Sequence, residues 1–317
     1  MELMKKCPCC ENKKIELKYA GLYDKSYLKK GKFDLFVCKN CRLEFVNPIL
    51  DEKELGKYYP AEEYYSFYDY NKLALVYHKI SALYHSKNNF FVNVFLSPFS
   101  PLLYTYYIKE NLNVLEIGCG NGMKLDIYQK YGAHTSGLEP YGPELGRKER
   151  KLGIQRKNIQ NVEYKDNNFD CIILKEVLEH IPNQREVLEK CYKWLKPNGK
   201  MIITVPNTSS LLKNIFSGNW FGYDVPRHVY NYNPNNISYY LKKFGFKINK
   251  IRKYDPPYML DGSIKFRLVD KTGKKNHPIV FSNLTKILLV PISLFITYIG
   301  QGSLMEIDCT KPIYVNL

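Results

Sequence analysis

The sequence lacks any run of five consecutive basic residues, although Lys and Arg number 47 against 31 acidic residues. The formal net charge of +16 would attract nucleic acid, anionic lipid headgroups or phosphorylated small molecules. A tail that binds nucleic acid is usually a block of like charges, and no such block is present. The positive charge is instead scattered along the chain, so we interpret it mainly as a consequence of abundant lysine.

The first residues, MELMKKCPCC, lack the apolar segment of a secretory signal peptide. The nine cysteines also lack the spacing of a secreted disulfide framework. Four have the spacing of metal ligands, and Cys119, Cys171, Cys191 and Cys309 are isolated, mostly within apolar runs. This pattern predicts a protein of the reducing cytoplasm.

One segment, Ile287 to Met305, lacks charged residues altogether. Its length is close to the roughly 20 residues that span a bilayer. However, Pro291 interrupts it, and the strong apolar run ends at Ile299. We therefore expect a buried or interfacial helix rather than a span, with residues 279–300 as the candidate for peripheral association with the inner membrane face.

The chain divides into three predicted regions. Residues 1–50 carry the clustered cysteines, and their last strand is expected at 33–37. Residues 51–110 are predicted to form a helical cap, with apolar residues at helical spacing in LALVYHKISALY and two helices expected around a turn within 90–108. The cap begins with a cluster of aromatic residues: Tyr58, Tyr59, Tyr64, Tyr65, Phe67, Tyr68 and Tyr70.

Residues 111–317 alternate between apolar runs and helical segments, which predicts an α/β domain. Strands are expected at 114–117, 135–138, 169–174, 200–205, 246–251 and 304–309, and helices at 124–131, 144–152, 185–195 and 234–244. Apolar runs without alternation indicate strands buried on both faces of a parallel sheet. A loop at about 207–233 and an insertion at about 254–303 interrupt the later part of this domain.

A glycine-rich turn follows the first of these strands, in the segment VLEIGCGNG. Glycines permit a positive φ and let the backbone approach a ligand closely. Glu116 precedes the first glycine, where dinucleotide-binding folds usually have an apolar residue, and position 123 is Met where their motif requires glycine. Glu139 ends the next strand, where a carboxylate can hold a ribose diol.

From Asn111 to Asn207 the chain resembles the class I S-adenosylmethionine-dependent methyltransferases. The resemblance rests on four segments in order: VLEIGCGNG, LEP, FDCIILKEVLEHIPN and LKPNGKMIITVPN. It implies a Rossmann-like, seven-stranded, mostly parallel sheet with S-adenosylmethionine over the strand ends. The implied cofactor residues are Glu116, Gly118, Cys119, Gly120 and Gly122 for the methionine part, Glu139 for the ribose, Asn158 and Ile159 for the adenine, and Lys175. Asn158 stands where the family usually has Asp, but an amide can still donate to and accept from adenine.

Two histidines are candidates for the base that methyl transfer often requires. His180 lies in EVLEH directly after a strand, and a similar pattern binds a divalent metal in some ubiquinone-type O-methyltransferases; a structural role is the alternative. His228 lies in the loop WFGYDVPRHVY, which we predict to meet the acceptor through Trp220, Tyr223, Asp224, Arg227 and His228. The alternative is a packed loop in which Arg227 and Asp224 pair with each other.

The N-terminal cysteines form two CxxC pairs, Cys7 with Cys10 and Cys38 with Cys41. Four such thiolates suit a tetrahedral structural zinc ion, so a zinc ribbon is predicted. Cys9 is an additional thiol that could replace a neighbouring ligand. A redox CxxC is less favoured, because no thioredoxin-like strand and helix surround it.

Some sugar C-methyltransferases carry a similar four-cysteine domain, and the PRH loop resembles that of methyltransferases in surface-polysaccharide pathways. These resemblances imply methyl transfer to a sugar or other glycan-pathway acceptor, either nucleotide- or lipid-linked. Two alternatives stay open. One is an RNA methyltransferase that reads RNA with its ribbon, although no basic-aromatic RNA motif is present. The other is a scaffold that binds S-adenosylmethionine without turnover.

Overall fold

A computed structural model of the chain describes residues 3–59, 72–86, 90–107, 109–142, 144–274 and 283–313. Eleven strands lie within these residues: β1 (Ile15–Leu22), β2 (Phe33–Cys38), β3 (Glu44–Val46), β4 (Asn113–Ile117), β5 (His134–Leu138), β6 (Ile154–Gln155), β7 (Phe169–Lys175), β8 (Leu195–Pro206), β9 (Tyr230–Asn231), β10 (Lys247–Tyr254) and β11 (Leu304–Thr310).

Seven strands form the main sheet in the order β10-β11-β8-β7-β4-β5-β6. The five strands from β8 to β6 pair in parallel, and β11 is antiparallel to both β8 and β10. The centre of β7 is fully buried from Cys171 to Leu174, as expected for a strand covered on both faces. The predicted Rossmann-like, mostly parallel sheet is therefore confirmed.

The described residues contain eleven α-helices: α1 (Glu52–Gly56), α2 (Lys72–Ser86), α3 (Phe90–Leu96), α4 (Met123–Lys130), α5 (Arg147–Lys151), α6 (Gln184–Trp194), α7 (Leu211–Phe216), α8 (Pro234–Lys243), α9 (Pro257–Thr272), α10 (Asn283–Leu288) and α11 (Val290–Tyr298). Helix α8 illustrates how sequence sets a boundary. Asn233 caps it by accepting from the Asn235 and Asn236 amides, and Pro234 occupies the first turn, where no amide partner is needed.

One expectation about the cap was wrong. Only α3 is an α-helix within the stretch predicted to hold two, and a 3₁₀ helix at Ser97–Leu102 follows it. Pro98 and Pro101 explain the difference, because proline has no amide hydrogen and disfavours helical conformation in the residue before it. Most of the aromatic cluster, residues 64–70, lies outside the described residues, as does Ile108.

The second sheet has the order β1-β2-β3-β9 and is antiparallel. Its first three strands come from the cysteine-bearing N-terminal residues, whereas β9 comes from the loop after β8. Phe45 of β3 faces Tyr230 of β9 in this pairing. The N-terminal residues are thus joined through main-chain hydrogen bonds to the loop that contains Arg227 and His228.

The predicted insertion contains α9, α10 and α11, which lie between β10 and β11 in the sequence. It packs against the main domain through buried residues such as Met259, Phe266 and Ile296. Within the described residues, none of the helices has the length and apolar character required to span a bilayer. Of the predicted membrane-surface segment, residues 279–282 lie outside the described part.

Candidate functional site

The glycine-rich turn joins β4 to α4 at the carboxyl edge of the parallel strands. Gly118, Gly120 and Gly122 have φ values of 69°, 56° and 78°, in the region that side chains disfavour. A Cβ atom on Gly118 would lie 2.3 Å from Cγ2 of Val177, which follows β7. The turn therefore requires glycine for two reasons, the backbone angle and the close approach of the neighbouring strand end.

Glu139 lies directly across from this turn. Its Oε2 accepts from the Gly120 amide at 3.0 Å, and its Oε1 accepts from the Tyr141 amide at 3.1 Å. Burial raises the pKa of Glu139, while these two donors act in the opposite direction. Cys119 is also buried in the turn, and its amide donates to the Leu138 carbonyl. The structure thus brings the acidic end of β5 and the glycine turn into direct contact.

Glu116 is fully buried at the end of β4. Nζ of Lys124 lies 2.5 Å from its Oε1. Burial alone would lower the pKa of Lys124, but the carboxylate of Glu116 outweighs it and raises that pKa. Lys124 is a residue that sequence reasoning missed; its place in the first turn of α4, directly after the glycines, was the available signal.

Lys175 contacts β11 through its ammonium group. Its ammonium pairs with Glu306 and lies 3.8 Å from the ring centroid of Tyr104. Arg252 approaches Glu306 at 3.4 Å as well. Burial alone would raise the pKa of Glu306, but the two cations lower it to about 2. Contact between Lys175 and a cofactor stays a prediction.

Asn158 begins a short 3₁₀ helix after β6. Its Oδ1 accepts from the Ile159 amide, and its Nδ2 donates to Oε2 of Glu52 in α1 at 2.7 Å. The Ile159 side chain is buried in the main core. Helix α1, which follows the cysteine-bearing sheet, therefore lies beside the position predicted to contact adenine.

His180 and His228 lie together, with ring centroids 4.5 Å apart. Burial lowers the pKa of both imidazoles, which favours their neutral forms. Nδ1 of His228 lies 2.7 Å from the Gly222 carbonyl. Because a carbonyl only accepts, this nitrogen must carry the hydrogen, which leaves Nε2 with a free lone pair.

Tyr59 connects these histidines to Tyr141 and Glu139, beside the glycine turn. The sequence analysis did not predict this role. Its hydroxyl lies 2.9 Å from Nδ1 of His180, which also lies 3.1 Å from the Arg227 carbonyl. The Tyr59 ring stacks on Tyr141 with centroids 4.9 Å apart, and the Tyr141 amide bonds to Glu139. A continuous set of contacts therefore runs from the glycine turn to the histidine pair.

Glu179 is fully buried beside the histidines, and its carboxylate could join them around a metal ion, since one ligand atom of each lies within 4.8 Å of the others. Burial raises the pKa of Glu179 well above its ordinary value. The predicted metal role of this pattern stays a prediction, alongside its structural alternative.

Arg227 has the paired arrangement that the sequence left as an alternative. Its guanidinium donates to Asp224 at 2.8 and 2.7 Å, to Asp24 at 2.7 Å and to the Tyr58 carbonyl at 3.0 Å. The whole residue is buried. Ser26 donates to Asp224 as well, so the connection between β1 and β2 supplies two of the partners.

Trp220 and Tyr223 are also packed rather than open. Both are almost completely buried, and their rings contact each other with centroids 5.1 Å apart. The Tyr223 hydroxyl donates to Glu44 at 2.6 Å. The packed loop weighed above is therefore the arrangement found, and direct contact of these rings with an acceptor stays a prediction.

The four predicted zinc ligands converge, with their sulfur atoms within 4.8 Å of one another. Cys7 lies 3.6 Å from Cys41, and Cys10 lies 3.6 Å from Cys38. A tetrahedral zinc site with bonds of about 2.3 Å has sulfur separations of about 3.8 Å, so the spacing fits zinc. Cys9 instead directs its thiol to the Asn236 carbonyl, outside this cluster.

Comparison with known proteins bears on the main domain. A family model described as a methyltransferase domain matches residues 93–251. The chain is 36% identical over 106 residues to a phosphoethanolamine N-methyltransferase of Plasmodium falciparum, covering 31% of this chain and 40% of that protein. It is 29% identical over 103 residues to a ubiquinone biosynthesis O-methyltransferase of Xanthomonas oryzae, covering 30% and 43%.

A longer match is with an uncharacterized protein of Methanocaldococcus jannaschii, 27% identical over 242 residues, which covers 75% of this chain and 97% of that protein. The chain spans less than half the length of the two named methyltransferases. The family model, by contrast, extends over half of this chain and includes the glycine turn, Glu139 and the strand ends described above. This protein therefore belongs to the methyltransferase domain family.

Proposed function

We propose that the protein transfers a methyl group to a hydroxylated sugar or a related glycan-pathway acceptor carried on a nucleotide or lipid, and that it does so in the cytoplasm. The observation that carries this proposal is the buried pair His180 and His228, which Tyr59 joins to the residues around the glycine turn. S-adenosylmethionine supplies a methyl group on a positively charged sulfur, which a nucleophile displaces in line.

The chain's own residues fit the cofactor. The glycine turn offers close backbone approach, the Glu139 carboxylate can accept from a ribose diol, and the Asn158 amide can bond to an adenine edge. Glu116 and Lys124 present opposite charges, which suits the ammonium and carboxylate of a methionine group. These assignments follow from the chemistry of the donor set and have the status of proposals.

If the acceptor keeps its proton until methyl transfer, the site needs a base to remove that proton, and a neutral imidazole can act as this base. A sugar hydroxyl, or a carbon next to a carbonyl, loses its proton only to a positioned base. An amine already has a lone pair once it is uncharged and needs such a base less. His228, with Nδ1 bonded to the Gly222 carbonyl, is the proposed base, and His180 with Tyr59 positions it.

We also propose a structural zinc ion held by Cys7, Cys10, Cys38 and Cys41. Its effect on the site would be indirect. The connection between β1 and β2 of the same sheet carries Asp24 and Ser26, which bond to Arg227 and Asp224, and both of these residues precede His228 in the same loop. All nine cysteines are free in this structure, which suits a reducing compartment.

The acceptor can be tested with isotopically labelled S-adenosylmethionine and a panel of acceptors analysed by mass spectrometry. The panel contains nucleotide sugars, lipid-diphosphate sugars, RNA and phosphoethanolamine, and Glu139→Ala serves as the background control. We expect label only in a sugar fraction, and none with the variant. Label in RNA or phosphoethanolamine alone would overturn the sugar proposal. Cofactor binding without transfer to any acceptor would favour the scaffold alternative and overturn it as well.

A further inference from the structure

Two segments far apart in the sequence expose many large apolar side chains. We name the set they form the apolar surface. Its members range from 44% exposed for Phe99 to 82% exposed for Phe91. They belong to α3 and the 3₁₀ helix after it, and to α10, α11 and the residue that follows: Phe91, Val94, Phe95, Phe99, Ile287, Leu288, Ile292, Phe295, Tyr298 and Ile299. Exposed apolar clusters of this kind usually mark a site of interaction.

The two segments are in contact. Tyr298 of α11 donates its hydroxyl to the Pro98 carbonyl at 2.6 Å, and α11 packs on the 3₁₀ helix that contains Pro98. The buried residues of α11 are Ser293, Ile296 and Thr297, so two of the three that face inward are polar. Ile292 and Phe295 point outward instead. A helix with water on its outer side normally shows the reverse arrangement.

The stretches of sequence that contain the apolar surface carry charged residues of one sign. No Asp or Glu occurs between residues 72 and 109, or between residues 271 and 305. Over these two longer ranges, lysine is the only charged residue type: Lys72, Lys79, Lys87 and Lys109 in the first, and Lys271, Lys274, Lys275 and Lys286 in the second. Among the described ones, Lys79, Lys109, Lys271, Lys274 and Lys286 are exposed. Lys286 lies in α10 itself, and Lys79 lies in α2, which packs on α3. An apolar face with lysines beside it matches the interface of an anionic bilayer.

We infer that the apolar surface docks the protein on an anionic lipid bilayer. Helix α11 has nine residues, and its length of about 14 Å is half of a hydrocarbon core of about 30 Å, so the segment lies on the membrane. Aliphatic and aromatic side chains enter the headgroup boundary while the lysine ammonium groups meet lipid phosphates. This inference does not depend on which acceptor is methylated.

The insertion also connects this surface to the site. Helix α9 belongs to the same insertion as α11, and its Tyr258 donates to Oε1 of Glu176 at 2.8 Å, directly after β7. Phe221 of the loop before His228 packs against Gly262 of α9. Membrane docking would therefore place the insertion, and with it the acceptor loop, near the bilayer surface.

The test is sedimentation of the full chain with vesicles of phosphatidylcholine alone or mixed with phosphatidylglycerol. The variant is Phe95→Ser/Phe295→Ser, which removes two side chains that are 76% and 63% exposed. The matched control is Leu17→Ser/Tyr239→Ser, at 51% and 52% exposure on other elements. We expect binding to anionic vesicles that weakens with salt, a loss of at least about tenfold in the variant, and a change of less than about twofold in the control.

Three results would overturn the inference. The first is no binding of the wild-type chain to anionic vesicles, and the second is equal binding by both double variants. The third is a dimer in light scattering that Phe95→Ser/Phe295→Ser converts to a monomer, with no vesicle binding by either form. In that case the apolar surface would be an interface between two copies of the chain. Since both residues are exposed, the variant should fold, and circular dichroism verifies this before sedimentation.

Discussion

Replacing Arg227 with methionine should destabilise the whole chain, because the guanidinium neutralises two buried carboxylates. Asp24 and Arg227 are fully inaccessible, and Asp224 is 9% exposed. The replacement keeps the apolar stem but leaves both aspartates without their cation. Removing one partner of a buried ion pair typically costs about 3–5 kcal/mol, a large share of a total stability of about 5–15 kcal/mol.

The free energy of unfolding can be measured by guanidinium denaturation followed by circular dichroism. Arg185→Met is the matched control, since Arg185 is exposed and pairs with Glu189 at 3.8 Å on the surface of α6. Its loss should change the free energy of unfolding by less than about 1 kcal/mol. The loss of unfolding free energy in Arg227→Lys should lie between the losses in Arg227→Met and Arg185→Met, because one ammonium cannot bond to Asp24, Asp224 and the Tyr58 carbonyl together.

The pH dependence gives a second test of the same pair. Burial alone would raise the pKa of Asp224, but Arg227 outweighs it and holds the pKa below its ordinary value. A depressed pKa in the folded state means stability that is present above the unfolded value of about 3.9 and is lost as pH falls below it. The difference in the free energy of unfolding between the wild type and Arg227→Met should therefore decrease below about pH 4. A variant with wild-type stability and only a raised acceptor KM would refute this reasoning.

Three further predictions concern the cofactor, the metal and the base. Gly118→Ala should weaken S-adenosylmethionine binding by at least about tenfold in calorimetry, because the new methyl group would meet Val177. Cys38→Ser should lose zinc in elemental analysis, whereas Cys171→Ser, in a buried strand, should keep it. Tyr59→Phe should lower kcat by about tenfold with cofactor affinity unchanged, because it removes the hydroxyl beside His180.

Each of these predictions has a contrary outcome. Unchanged cofactor affinity in Gly118→Ala would mean that the turn tolerates a side chain and that its contact with Val177 is not required for binding. Zinc retained by Cys38→Ser would assign the metal to other ligands. A Tyr59→Phe variant with weaker cofactor binding and normal kcat would place Tyr59 at the cofactor rather than beside the base.

The sequence was most informative where a strand is buried and followed by a strong turn. The predicted strand at 169–174 and the predicted helix at 185–195 agree with β7 and α6 to within one residue. The reason is that a continuous apolar run indicates a buried strand, and apolar residues at helical spacing indicate a helix. By contrast, β9 has two residues and exists only through its pairing with β3. A strand defined by a partner nearly two hundred residues away has no local signal.

The same distinction applies to the site. Glu116 and Glu139 could be found because each ends a predicted strand beside a recognisable turn. Of the two carboxylates that bond to Arg227, the sequence could indicate only Asp224, which is three residues away in the same loop. Asp24 is separated from Arg227 by 203 positions, so no local pattern links the two. Tyr59 lies in an aromatic cluster that offers several equivalent candidates. Tertiary packing alone selects Tyr59 as the residue that contacts His180.

The central claim is that a neutral histidine at the cofactor edge removes the acceptor's proton. Its most direct test is single-turnover methyl transfer by His228→Ala across pH, with cofactor affinity measured in parallel. Because burial lowers the pKa of His228, the wild-type rate should hold down to a pH below the ordinary histidine value of about 6.5. The variant should bind the cofactor normally and lose about 10²–10⁴-fold in rate. A variant that binds the cofactor and transfers methyl at the wild-type rate would contradict the account.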